Sequence, residues 1–401
     1  MATPTQLARP LIPMTHKAGI RRRRVAFGLG AVVGAPLLFS GCNRIPPTLK
    51  IGVGQPLSGP IAALGRDMLN GIVLAVEELN AENFAIDGQP VKLELVVEDD
   101  RSDPAVGKLA AQTLIDAGVF AVMGHLNSGV SMAAAPLYGA HDILQLSIST
   151  HPGLTELGLP GVFRIVANDH TQSRAMAGYA IDYLGQGPIG LVDDGSAYGK
   201  GLAGAVAAEF DKVGKTLALR DSLDDKTTDF AALASTLKQR QIGVLLSVLN
   251  DFQVVALVEA LKAADHLDMH ILGGDLLKTP EALKAARTLR GRLLATSPIL
   301  EPLEFNGGPA FLSTYRERFK KDPAYGAHYN YDALHALAFT LRQVRGIDPE
   351  KVRQMLHTND PAAPVTGSMR FDARGEQRHG VVGIYSAAAN GWRSLMRSSQ
   401  W

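Results

Sequence analysis

The chain of 401 residues holds a single cysteine, Cys42. No internal disulfide can form, so packing alone must hold the fold. Beyond Cys42 no apolar run reaches the ~20 residues that a membrane helix needs. Aromatic residues make up only 6% of the chain. No acidic residue occurs before Asp67. Several catalytic signatures are also missing. There is no Gly-x-Ser-x-Gly turn for a serine hydrolase. Gly214-Lys215-Thr216 lacks the upstream glycine of a phosphate-binding loop, because Glu209 stands there. Gly52 and Gly54 lack the third glycine of a dinucleotide fingerprint, because Leu57 occupies its place. His266 and His270 are one helical turn apart, but Leu267 replaces the glutamate of a zinc-protease helix. An enzyme, a metal and a cofactor are therefore not expected.

What is present begins with a leader. Arg21 to Arg24 precede fifteen uncharged residues, Val25 to Phe39, and then Ser40-Gly41-Cys42. A basic stretch, a short apolar stretch and small residues before a cut predict a secretory signal over residues 1–41. Cys42 at the cut resembles the lipid-modified cysteine of bacterial lipoproteins, with Phe39 where leucine is usual. The arginines resemble a twin-arginine export signal. The expected location is periplasmic, with the chain tethered to a membrane through Cys42. A bystander thiol beside an ordinary cut is the alternative.

Without residues 1–41 the chain has 34 basic and 39 acidic residues, a net charge near −5. That balance argues against a nucleic-acid partner. The remaining 360 residues exceed one ordinary core and predict two domains. Short β-branched runs alternate with amphipathic helices. Strands are expected at Lys50–Val53, Val91–Val97, Val119–Val122 and Ile143–Ser147. A second series is expected at Pro188–Val192, Thr216–Leu219, Ile242–Leu246, Ile271–Leu272 and Arg292–Thr296. Helices fall between them, with more near Phe311–Lys320 and Tyr331–Val344. Such alternation predicts α/β architecture, two lobes each built on a doubly wound parallel sheet. Pro361 to Pro364 reads as a crossing between lobes, and Phe371 to Gly375 as a turn joining late strands.

Ligands of parallel sheets sit at the carboxyl ends of strands. Two such ends are rich in hydroxyls and bare amides: Gly124-His125-Leu126-Asn127-Ser128, and Ser147-Ile148-Ser149-Thr150. Ser128 is a good helix N-cap, and free amides behind it favour an anion. From the second series, Tyr198 follows one buried strand and Asp275 follows another. Asp275 is placed to pair with a cation. A capping aspartate and a packed tyrosine are the plain alternatives.

Further stretches carry a family resemblance. They are Pro56 to Pro60 with Gly65 and Asn70-Gly71, Glu98-Asp99-Asp100 before Asp103-Pro104, and Gly124-His125-Leu126. Next come Phe163-Arg164 with Asp169 and Gln172, Asp194 with Tyr198 to Gly201, and Tyr331-Asp332-Ala333. In this order they resemble the leucine/isoleucine/valine-binding proteins, the type I solute-binding proteins of ABC transporters, over nearly all of residues 49–395. The resemblance implies two lobes joined by three crossings, 49–166 plus 297–363 and 167–296 plus 364–398. An amino acid would lie between them. It implies that Ser128 binds the ligand carboxylate and that Thr150 contacts its ammonium and carboxylate. Ser149 would contribute backbone, Tyr198 would reach over from the second lobe, and Asp275 would pair with the ammonium.

Leu64, Leu126, Leu249 and Leu276 either line an apolar side-chain pocket or belong to the core. The implied partners are a membrane permease and its ATPase, with the chain itself a monomer. A sensor of amides, urea or other small molecules on the same fold is the alternative.

Overall fold

A computed structural model describes residues 45–185 and 187–400. The expected leader and Cys42 lie outside the described residues. Among the described residues no helix is long and apolar enough to cross a membrane.

Two sheets organise the chain. The first runs through β1 (Thr48–Gln55), β2 (Lys92–Asp99), β3 (Ala121–Gly124), β4 (Leu144–Ser147) and β5 (Val162–Arg164), in spatial order β2-β1-β3-β4-β5 and wholly parallel. Between these strands lie α1 (Ala62–Ala81), α2 (Pro104–Asp116) and α3 (Ser128–Gly139).

The second half opens with α4 (Asp169–Tyr183). It continues through β6 (Ile189–Asp193), α5 (Ala197–Lys212), β7 (Leu219–Ser222), α6 (Ala231–Gln239), β8 (Val244–Val248) and α7 (Asp251–Ala263). The strands β9 (His270–Gly273) and β10 (Leu293–Ser297) follow. The chain then returns to the first half as α8 (Gly308–Phe319), α9 (Ala327–Val344) and α10 (Pro349–Thr358). It ends in the antiparallel strands β11 (Gly383–Ala388) and β12 (Gly391–Arg397), which extend the second sheet. That sheet has the order β12-β11-β10-β9-β8-β6-β7.

The apolar runs are the central strands. All five residues of β8 are buried, as expected for strands covered on both faces. In each sheet the first strand adds its successor on one side and the third on the other. The strand order therefore reverses between β1 and β3, and again between β6 and β8. Crevices for ligands open at such reversals, beyond the carboxyl ends of the strands.

Helix packing in the first half is close. A Cβ on Gly71 of α1 would lie 2.0 Å from the Ala327 carbonyl oxygen of α9. Alanine is intrinsically the better helix former, by about 1 kcal/mol. Overpacking costs about 1–3 kcal/mol and outweighs that gain. Gly71→Ala is therefore expected to lower the denaturation midpoint in urea, and a raised midpoint would show that the two helices have room to part.

Three segments carry the chain between halves: residues 165–168, 298–307 and 359–382. Two buried side chains pin the third. Asp332 accepts hydrogen bonds from the backbone N–H of Val365 (2.9 Å) and Thr366 (2.7 Å). Burial pushes its carboxyl up to about 6, although these bonds oppose the rise. Arg164, at the end of β5, is wholly buried. Its Nε donates to both carboxylate oxygens of Glu376, at 3.2 and 3.1 Å, and its backbone N–H to Gly375 (2.8 Å).

Two expectations need correction. The strand placed at Thr216–Leu219 lies at Leu219–Ser222, because Ala218 donates across to Ile189 and starts the pairing one residue later. Phe371 to Gly375 does not join the late strands. It turns back locally, with Gly375 at φ +85°, and Phe371 bridges Gln377. The late hairpin turns instead at Ala389-Asn390, beyond it.

Candidate functional site

A cleft of about 380 Å³ lies where strand ends from both sheets face each other. The first sheet contributes Ile61 after β1, Leu126 to Val130 after β3, and Ile148 and Thr150 after β4. The second contributes Asp194 and Ser196 to Tyr198 after β6, Asn250 and Phe252 after β8, and Asp275 and Leu276 after β9. Arg101, Asp225 and Lys226 also line it, on the loops after the outer strands β2 and β7.

Sheet order thus grades the cleft. The inner strands β4 and β9 supply Thr150 and Asp275, and the outer strands supply mixed charge.

One part of the wall is suited to an anion. Five helices start at the cleft, α1, α2, α3, α5 and α7, and three of them satisfy their own ends, α7 through the Asn250–Gln253 capping box. Asp103 accepts from the N–H groups of Ala105 and Val106 at the start of α2, and Ser196 accepts from Gly199 at the start of α5. At α3 no side chain caps the end. The N-cap is Asn127, not Ser128, which is the first helical residue. The Ser128 hydroxyl accepts from His151 N–H (3.3 Å) and so ties α3 to the loop after β4. Open amides and the helix dipole attract a carboxylate here. Ser128→Ala removes one hydroxyl and leaves those amides. It is expected to weaken anion binding by about 0.5–1.5 kcal/mol, measured by calorimetry. A loss above about 3 kcal/mol would mean that the hydroxyl, not the helix end, holds the anion.

The opposite wall is built for a cation. Asp275 is buried, and its carboxylate accepts from Tyr198 Oη (2.7 Å), Tyr325 Oη (2.6 Å) and Gln172 Nε2 (3.1 Å). Tyr325 reaches it from the loop before α9, in the other half of the molecule. Asp67 positions that loop by accepting from the N–H groups of Ala324, Tyr325 and Ala327. Asp169, the first residue of α4, sits behind Thr150 and donates its N–H to the Thr150 carbonyl (2.9 Å).

Asp169 is 1% exposed, and neither carboxylate oxygen makes a hydrogen bond of good geometry. Burial first and the Asp275 charge second push its carboxyl up to about 7, with the nearby Thr150 hydroxyl opposing. The nearest cation, Arg164, is committed elsewhere: it bonds the carbonyls of Ser149 and His151 and the Glu376 carboxylate. Asp275 therefore lines the cleft and Asp169 lies buried behind its Thr150 wall, and among the described residues neither pairs with a cation. A buried carboxyl must be paired or neutralised, and a cationic ligand would pair this site.

Of the residues chosen from sequence, Ser128, Thr150, Tyr198, Asp275 and Leu126 meet at this cleft, and Leu276 joins them. Three choices do not. Leu64 faces inward from α1 into the first core, and Leu249 packs into the core of the second half beside Val254 and Leu277. Ser149 is turned away, its hydroxyl donating to the carbonyls of His125 and Leu126 and its own carbonyl taken by Arg164. It shapes the loop that presents Thr150. Two further residues had no role assigned from sequence, Asp169 and Tyr325. Asp169 carried a faint signal as the acidic first residue of a helix behind an asparagine cap. Tyr325 carried none. Among the described residues no cluster of three or more His, Cys, Asp or Glu side chains could hold a metal.

Two α/β halves, a cleft at their strand reversals and opposed anion- and cation-seeking walls define a binding protein for small solutes. The chain belongs to the family described as "Periplasmic binding protein", whose model matches residues 48–391. It is 28% identical to Leu/Ile/Val-binding protein homolog 1 of Brucella abortus, over 87% of this chain and 92% of that one. It is 26% identical to the leucine-, isoleucine-, valine-, threonine- and alanine-binding protein of Pseudomonas aeruginosa, over 92% and 96% of the two chains. Among solved structures it resembles the leucine-binding protein LivK of Thermotoga maritima, with a TM-score of 0.78 and 25% identity, over 87% of this chain and 98% of that one. The family and fold expected from sequence are confirmed.

Proposed function

We propose that this chain is the solute-binding component of an ABC transporter and carries an α-amino acid in its cleft. One observation supports the reading above others: Asp275, with Asp169 buried behind Thr150 and no protein cation paired with either, lies across the cleft from the uncapped start of α3. An α-amino acid supplies an ammonium and a carboxylate on one carbon and answers both walls together. Relatives named for leucine, isoleucine and valine support a branched-chain or related side chain. The apolar groups beside the head-group site, Ile61, Leu126, Ile148 and Leu276, suit it. Urea or a simple amide lacks the full positive charge that two carboxylates call for.

In this reading residues 49–166 plus 297–363 and 167–296 plus 364–398 are the two moving bodies. They close because ligand binds the closed state better than the open one. The closed form docks on a permease driven by its ATPase, and no bond is made or broken. The chain works as a monomer outside the cytoplasm, held at the membrane by a lipid on Cys42.

Mass spectrometry of ligand released from protein purified from its host, followed by calorimetry with that compound, tests the assignment. An aliphatic amino acid supports it. A released solute without an ammonium group contradicts it.

A further inference from the structure

The two carboxylates at the cation wall are not equivalent. Asp275 is solvated by three donors, the hydroxyls of Tyr198 and Tyr325 and the Gln172 amide. Asp169 has only the Thr150 hydroxyl beside it, without good hydrogen-bond geometry, is equally buried and lies within electrostatic reach of Asp275. Burial and the neighbouring Asp275 charge both favour the protonated form of Asp169.

Resting on the amino-acid reading above, we infer that Asp169 carries a proton in the empty cleft and gives it up when the ligand's ammonium seats between Thr150 and Asp275. The ligand thus exchanges one positive charge for another, and binding is linked to proton release.

The surroundings leave few other candidates for the proton. On the first half, Arg164 lowers the Asp169 carboxyl from a distance and Glu376 opposes it, and these two are paired with each other. The loop after β4 brings His151, which burial and the Arg164 charge hold below its ordinary value. On α4 itself His170 is exposed and faces Glu156 at 3.9 Å. From the second half come Asp275 and the Tyr198 phenol, and Tyr325 arrives from the loop before α9. Burial and the Asp275 charge keep both phenols protonated.

The sign follows from linkage. Asp169 ionises at about 7 in the empty protein, above its ordinary range. In the empty protein its contribution to stability is present at low pH and lost as pH rises through about 7. Ligand affinity runs the other way and grows as the proton departs. Affinity should rise about tenfold from pH 6 to pH 8 and level off above. At pH 7 about half a proton should be released per ligand bound.

Calorimetry of the full-length protein with L-leucine tests this, in buffers of different ionisation enthalpy at pH 6, 7 and 8. The expected result is proton release that falls with pH while affinity rises. Asp169→Asn should bind more weakly, release no proton and show less than a twofold change over the same range. His170→Gln should keep the wild-type slope. Binding of L-leucine with no proton exchanged and flat affinity overturns the inference while leaving the amino-acid reading intact. Failure of L-leucine, L-isoleucine, L-valine, L-threonine and L-alanine alike to bind overturns both. If Asp169→Asn does not fold, the wild-type proton count decides alone. A second direct readout is the carboxyl resonance of 13C-labelled aspartate in the empty protein. An aspartate resonance that titrates near pH 7 and is missing from Asp169→Asn supports the inference, and the absence of such a resonance overturns it.

Discussion

Replacing Asp275 by alanine is expected to weaken amino-acid binding by about 1.5–3 kcal/mol, roughly 10- to 150-fold in Kd. The loss has two parts. The ligand's ammonium forfeits a charged hydrogen bond on the wall that Asp275 lines. The hydroxyls of Tyr198 and Tyr325 and the Gln172 amide lose their shared acceptor inside the protein. Asp275→Asn separates these parts, since its amide oxygen still accepts from the tyrosines while the charge is gone. Asn should therefore cost less than alanine. Calorimetric affinities for the two variants make the comparison. Equal, wild-type affinity in both would remove Asp275 from the site.

The second large effect is on the scaffold. Arg164→Leu is expected to destabilise the protein by about 3–5 kcal/mol, the range for breaking a buried ion pair from one side. Glu376 would keep a charge without its partner, and the carbonyls of Ser149 and His151 would lose their donor. These carbonyls flank Thr150, so the variant should also bind amino acids more weakly. Urea denaturation followed by circular dichroism measures the first effect and calorimetry the second. A change in stability below about 1 kcal/mol would mean that water replaces the guanidinium without cost.

Much of this arrangement was legible in the residues. The central strands are continuous apolar runs, and such runs between helices have few other folds open to them. Ser128, Thr150, Tyr198 and Asp275 all follow strands directly, so a rule about strand ends was enough to find them. Asp169 and Tyr325 are different. Tyr325 meets Asp275 fifty positions away in sequence, and only after the chain has crossed between halves. Asp169 matters because of what does not touch it, and a missing partner leaves no trace in a sequence. Leu64 and Leu249 show the reverse problem. A leucine near a strand end reads alike whether it faces a cleft or a core, and both face cores. Two elements were overlooked despite local signals. Asp348-Pro349 is an N-cap followed by proline, and it opens α10. Asn390-Gly391 marks the hairpin, with Asn390 in its two-residue turn and Gly391, at φ +132°, opening β12.

On the proposed reading, the two walls answer the two charges of one amino acid. Three ligands of matched side chain test it by calorimetry at pH 8: L-leucine, 3-methylbutylamine without the carboxylate, and 4-methylpentanoate without the ammonium. L-leucine is expected to bind, and each analogue to be weaker by at least about tenfold, the loss of one charged hydrogen bond. Equal binding of L-leucine and 4-methylpentanoate would contradict it, because Asp169 and Asp275 would then be facing nothing they were placed to hold.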